Sequence, residues 1–226
     1  MARFLRLDVL NKMVELGLVP LFYHADVEVA IQIVAACSKG GAKVIEFTNR
    51  GDFAYEVFVE LVKHFATADP EVILGAGSIT DPGTASLYIA NGANFIVGSV
   101  TNPKVARICN RRKIAYSPGC GTASEISYAE ELGVEIVKVF PGSTIGGPAF
   151  VKSVLAPHPW TRIMPTGGVQ ATRENIEAWF KAGVACVGMG SKLIDKELVA
   201  KGDFAAITER TAQILEWIRN VRGQIH

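Results

Sequence analysis

Two short apolar runs each carry one charge near their middle. In Glu135-Ile-Val-Lys-Val-Phe140, Lys138 is flanked by hydrophobic residues, and Glu46 is so placed in Val44-Ile-Glu-Phe-Thr-Asn-Arg50. If the runs are strands, their side chains alternate between two faces. Ile136, Lys138 and Phe140 then share one face, and Val44, Glu46, Thr48 and Arg50 share another. With Val137, Val139, Ile45 and Phe47 turned toward covering helices, Lys138 and Glu46 both point into one interior. A charge inside a strand covered on both faces is costly. One reading is a buried structural ion pair, but such pairs often add little net stability over an apolar alternative. The reading we favour is a catalytic amine with an acid/base partner. Burial disfavours the charged form of an amine, and a free amine is the nucleophile that attacks a ketone. A carboxylate within reach, directly or through water, shuttles the protons of carbinolamine formation and carbon–carbon cleavage.

Arg50 closes its run, and a guanidinium there suits a planar carboxylate held bidentately; a solvated loop arginine is the alternative. Two later runs end in glycine, Pro165-Thr-Gly-Gly-Val169 and Gly188-Met-Gly-Ser191. Glycines let backbone N–H groups approach an anion, so this pair of loops reads as a phosphate cradle, with plain turns as the alternative. A third glycine turn, Gly75-Ala-Gly-Ser78, offers Ser78 as a hydrogen-bond donor to a bound acid. The histidines are His24, His64, His158 and His226, with no HxH or HExxH pair, so no dedicated metal site is expected. His24 is a candidate for the rim of a site, and His64 reads as a helix-face residue. No GxSxG elbow or Walker loop is present.

The elements that must position these groups repeat along the chain. Strand candidates are Val19–His24, Val44–Thr48, Val72–Ala76, Phe95–Gly98, Ile114–Pro118, Ile136–Phe140, Arg162–Thr166 and Cys186–Met189. They begin roughly 19–28 residues apart, the length of one βα unit. Segments of helical period lie between them. Val27–Ser38 stops at Gly40-Gly41, and Asp52–Ala66 carries Phe53, Val57, Leu61 and Val62. Thr122–Leu132 opens with a capping-box pattern, Thr122 and Glu125, and Phe204–Val221 is the longest. An extra helix, Leu7–Leu16, precedes the first strand. The expected fold class is α/β, a (β/α)8 TIM barrel with an extra N-terminal helix, in one domain over residues 1–226. Lys138 would lie near the carboxyl end of its strand, where barrel active sites sit. An open doubly wound sheet is weaker, because no GxGxxG turn follows the first strand.

Composition agrees with a single large domain: 226 residues, 49% hydrophobic. A net charge of +1 with mixed signs gives no electrostatic case for nucleic acid or for an anionic membrane. No run approaches the roughly 18 apolar residues of a membrane span, and the first residues do not read as a signal peptide. Cys37, Cys109, Cys120 and Cys186 stand far apart without a CxxC pair, which reads as buried free thiols in a reducing cytoplasm.

The order of six motifs resembles one family, the 2-keto-3-deoxy-6-phosphogluconate (KDPG) aldolases, also known as 4-hydroxy-2-oxoglutarate (KHG) aldolases. The motifs are Val44-Ile-Glu-Phe-Thr-Asn-Arg50, Gly75-Ala-Gly-Ser78, Pro118-Gly-Cys-Gly-Thr-Ala-Ser-Glu125, Val137-Lys-Val-Phe-Pro141, Pro165-Thr-Gly-Gly168 and Gly188-Met-Gly-Ser191. The resemblance runs from about Val19 to about Thr211. It implies that Lys138 is the Schiff-base lysine and Glu46 the general acid/base. It implies that Arg50 and Ser78 hold the pyruvyl carboxylate, that Thr166 lines the same pocket and that Phe140 packs beside the reacting carbons. Gly167, Gly168, Gly190 and Ser191 would bind the substrate phosphate. The resemblance further implies a homotrimer with no cofactor, acting on small keto acids and aldehydes. Three positions depart from the family pattern: Gly98-Ser99-Val100 replaces Ser-Pro-Gly, Gly142-Ser143 replaces Ala-Glu, and Asn49 stands where an aliphatic residue is usual.

The reaction so implied releases pyruvate with glyceraldehyde 3-phosphate or glyoxylate. Rivals are an aldolase for the galactonate epimer, a phosphate-binding isomerase or epimerase barrel, and a phosphosugar-binding protein without catalysis. Buried Lys138 and Glu46 weigh against the last, since binding alone does not need them.

Overall fold

Strand alternation decides which side chains meet, and here it separates two layers of core. The computed structural model describes residues 2–225. Helix α1 (Arg6–Leu16) precedes β1 (Leu18–Phe22), and strands and helices then alternate: α2 (Val27–Lys39), β2 (Val44–Thr48), α3 (Ala54–Ala68), β3 (Ile73–Gly77), α4 (Pro82–Ala90) and β4 (Phe95–Val97). The chain continues through α5 (Pro103–Arg112), β5 (Ala115–Ser117), β6 (Gly119–Cys120), α6 (Ala123–Glu131), β7 (Val137–Val139), α7 (Gly147–Leu155) and β8 (Ile163–Pro165). It ends with α8 (Arg173–Lys181), β9 (Val187–Met189), α9 (Lys196–Ala200) and α10 (Phe204–Ile225).

The strands form two parallel sheets, β5-β4-β3-β2-β1-β9 and β6-β7-β8. The eight expected strands become nine because Pro118 divides the fifth. Proline has no N–H to donate, so pairing lapses there. Beyond it Gly119 pairs with Lys138, while Ser117 pairs with Val97. The sheets also touch at a parallel bridge between Thr166 and Gly188. Later strands are shorter than expected, since Gly98, Pro141 and Gly167 end the regular pairing soon after β4, β7 and β8.

Val19, Val44, Ile73, Phe95, Ala115, Ile136, Met164 and Cys186 gather into one buried cluster with Val9, Leu10 and Met13 of α1. Every strand segment of the sequence pattern contributes to it, and the extra N-terminal helix is its floor. Ile45, Phe47, Val137 and Val139 pack into a second, larger cluster with the helices. Burying a side chain of this size contributes about 1.5–3 kcal/mol, so the alternation is strongly enforced. Glu46 and Lys138 share the parity of Val44 and Ile136, and therefore the inner face.

The helix ends follow local chemistry. Asp26 caps α2 by accepting from the Val29 N–H at 2.9 Å, and Gly40-Gly41 ends it. Thr122 caps α6, but Glu125 returns its bond to the Gly121 N–H at 2.8 Å, one residue before the expected box. Helix α9 is an insertion that one helix per strand did not anticipate. Asp195 caps it, and it contributes no buried residue. No described helix is long and apolar enough to cross a membrane.

Candidate functional site

Glu46 is 1% exposed and Lys138 5% exposed, on strands β2 and β7. Glu46 lies opposite Leu21 of β1 and Gly75 of β3, and Lys138 opposite Gly119 of β6 and Met164 of β8. Among the described residues neither side chain joins an ion pair within 4.0 Å. The structural ion pair considered from sequence is thus not among the ion pairs of the described residues. Both carboxylate oxygens of Glu46 are buried without a hydrogen-bond partner among the described residues. A buried polar atom of this kind calls for a partner, such as a bound water or a substrate group. Lys138 Nζ lies 5.1 Å from the ring centroid of Phe140, within cation–π range.

The space that admits Glu46 is made by glycine. A Cβ on Gly77 would overlap Oε1 of Glu46, and one on Gly75 would overlap the Phe95 ring. Read from sequence as a turn, Gly75 and Gly77 are instead residues of β3, paired with Glu46 and Thr48. The available signal was two glycines two apart, which clears one face of a strand beside a strand that carries a charge.

Arg50 is exposed at the end of β2, and its Nε donates to Ser78 Oγ at 3.4 Å. Ser78 has φ +61°, a conformation uncommon for a residue with a side chain. Asn49 joins these loops. Its N–H donates to the Gly77 carbonyl at 2.9 Å, and its Oδ1 accepts from the Tyr88 hydroxyl at 3.0 Å. Burial pushes the Tyr88 hydroxyl up to about 12, so it stays a donor. The departure at Asn49 therefore has a structural partner that sequence alone did not reveal.

Thr166 is buried, with an unpartnered Oγ1 that a Cβ on Gly188 would overlap. Gly167 and Gly168 follow with φ of +85° and +84°, which side-chain-bearing residues rarely adopt. Ser143, another departure, packs against Gly168 where a Cβ would stand, and its N–H donates to the Gly167 carbonyl at 3.0 Å. The loop after the lysine strand thus buttresses the glycine loop after β8.

A cavity of about 820 Å³ opens where the β1, β8 and β9 chains leave their strands. Arg50, Phe140, Thr166, Gly167, Gly168, Gly190 and Ser191 line it, as does His24. Glu46, Lys138 and Ser78 are not lining residues; Lys138 adjoins the cavity through Phe140, and Ser78 through Arg50. His64 is exposed on α3, and His226 lies outside the described residues. Among the described residues no three His, Cys, Asp or Glu side chains converge as a metal site would require. All four cysteines are buried and free.

The cavity offers a guanidinium at Arg50 and positive-φ glycine loops at Gly167 and Gly168, both suited to anionic groups. A family model described as KDPG and KHG aldolase matches residues 9–210. The chain is 30% identical over 198 residues to a 2-dehydro-3-deoxy-phosphogluconate aldolase of Treponema pallidum (strain Nichols), covering 88% of this chain and 91% of that one. It is 32% identical over 195 residues to one from Pseudoalteromonas atlantica (strain T6c / ATCC BAA-1087), covering 86% and 88%. A crystal structure of KDPG aldolase from Legionella pneumophila, with pyruvate captured at low pH as a covalent carbinolamine intermediate, aligns with a TM-score of 0.83 at 25% identity. That alignment covers 91% of this chain and 97% of the other.

Proposed function

This chain belongs to the KDPG and KHG aldolase family, and on that premise we propose that it is a class I aldolase working through a Schiff base on Lys138. Its substrate would be 2-keto-3-deoxy-6-phosphogluconate, split to pyruvate and glyceraldehyde 3-phosphate, and/or 4-hydroxy-2-oxoglutarate, split to pyruvate and glyoxylate. The observation that carries the reading is the pair on the inner face: among the described residues, a buried carboxylate with no partner on either oxygen, and a lysine in no ion pair. A salt bridge would favour the protonated form of an amine, and an ammonium has no lone pair with which to attack a ketone. The carbinolamine named for the Legionella enzyme supports the same chemistry here.

The steps follow from these groups. Neutral Lys138 attacks C2 of the keto acid, and Glu46 moves protons through water as the carbinolamine loses water to form the imine. The protonated imine is an electron sink. Glu46, or a water that it holds, takes the C4 hydroxyl proton; the C3–C4 bond breaks, and its electron pair forms the enamine. Protonation at C3 and hydrolysis by water release pyruvate and the free amine. Arg50 and Ser78 hold the pyruvyl carboxylate, Thr166 and Phe140 flank the reacting carbons, and Gly167, Gly168, Gly190 and Ser191 take the phosphate.

The framework for this reading is one closed (β/α)8 barrel domain. The bridge from Thr166 to Gly188, the continuity of β5 with β6 and the shared inner cluster all support closure. A cytoplasmic homotrimer needing no cofactor or metal completes the proposal. The test is borohydride reduction with pyruvate, followed by peptide mass spectrometry. A stable pyruvyl adduct on Lys138 is expected. No adduct, with pyruvate shown to bind, would overturn the aldolase reading in favour of a binding protein or another chemistry.

A further inference from the structure

The cavity extends beyond the groups assigned above. Its lining also takes in Val29 and Ile33 of α2, Ile194, and Val199 and Ala200 of α9, aliphatic side chains that share the cavity with Gln170, Lys192 and Lys196. Ile33 and Ile194 are core residues, 1% and 7% exposed. Helix α9 has no buried residue of its own, and Lys196, Val199 and Ala200 of it line this annex of the cavity. A phosphate at the glycine loops has no use for aliphatic walls, and a polyol set against them would lose hydrogen bonds to water. An alkyl chain matches them.

Resting on the aldolase reading, we propose that the annex binds the alkyl chain of an unphosphorylated straight-chain aldehyde, which serves as an acceptor for pyruvate. In that step C3 of the pyruvyl enamine attacks the aldehyde carbon. The new carbon–carbon bond forms as the carbonyl π pair moves to oxygen, which takes a proton from Glu46. Water hydrolyses the resulting imine, freeing Lys138 and a 4-hydroxy-2-oxo acid. Pyruvate and aldehyde are the only carbon inputs, and no redox change occurs. Phe140 and Thr166 line the same cavity as the annex, so the alkyl site shares one space with the residues assigned to flank the reacting carbons.

The experiment measures kcat/KM for pyruvate addition to propanal, butanal, pentanal and hexanal, with glyceraldehyde 3-phosphate as control. Burial of each methylene is expected to raise kcat/KM about fourfold until the annex is filled. Val29→Trp and Ala200→Trp, each intruding on the annex, are expected to flatten the series while leaving the glyceraldehyde 3-phosphate rate within about twofold. The wild-type series needs no variant to fold. A flat or falling series, or one that survives both substitutions in folded protein, overturns the proposal if glyceraldehyde 3-phosphate still reacts. Loss of that reaction together with the pyruvyl adduct overturns the aldolase reading itself, and the proposal with it.

Discussion

Glu46 of β2 occupies the space that a side chain on Gly77 of β3 would need. The two strands pair in register, Glu46 opposite Gly75 and Thr48 opposite Gly77, so the carboxylate leans across the neighbouring strand. Gly77→Ala is therefore expected to push the carboxylate aside and lower turnover about 10²-fold, the usual cost of a misplacement near 1 Å. Thermal denaturation should report a loss of about 1–3 kcal/mol from crowding. Unchanged kinetics in Gly77→Ala would mean that the position of Glu46 is not critical.

Lys138→Ala should abolish turnover and leave a folded protein, since an inner-face amine in no ion pair among the described residues is removed without stranding a partner. Circular dichroism checks the fold and pyruvate release the rate. Glu46→Gln should lower the rate about 10²–10⁴-fold, the range for a lost acid/base group. A near-normal rate in either variant would remove that residue from the mechanism.

Gly168 has φ +84° and Ser143 packed where its Cβ would be. Gly168→Ala is expected to distort the loop at a cost of about 1 kcal/mol or more. It should raise KM for the phosphorylated substrate, while borohydride trapping of pyruvate stays at the wild-type level. Adding Ser143→Gly should relieve the clash yet keep the φ strain, giving partial recovery. Equal damage to both assays would show that the loop serves the whole site.

The thiols set an alkaline limit. Burial pushes Cys37, Cys109 and Cys186 up to about 12 and Cys120 to about 11, from an ordinary 9.0. A folded-state value above the unfolded one means that the native chain keeps a proton the unfolded chain loses. This stability is fully present below about pH 9 and is lost as pH rises toward 11–12, at up to about 1.4 kcal/mol per unit for each thiol. Urea melts at pH 8, 9 and 10 should show falling stability, and Cys186→Ala should lessen the slope. A flat profile would count against burial as the control on these thiols.

The sequence by itself determined the repeating strand–helix order, because burial imposes a period of two on strands and of 3.6 on helices. It also determined that Lys138 and Glu46 face inward together, since their neighbours at odd spacing, Val137, Val139, Ile45 and Phe47, claim the helix-facing layer. What depends on non-local contact left at most an indirect trace in the sequence, such as the two glycines of β3 beside the charge on β2. The tertiary structure alone decided that Pro118 passes pairing from β4 to β7, that Glu46 and Lys138 join no ion pair among the described residues, and that Asn49 meets Tyr88. It also decided that Ser143 presses on Gly168 and that residues of α9 line the cavity beside the glycine loops. Side-chain alternation is a property of one strand, whereas distance between residues far apart in the chain is fixed only when strands pair and helices pack over them.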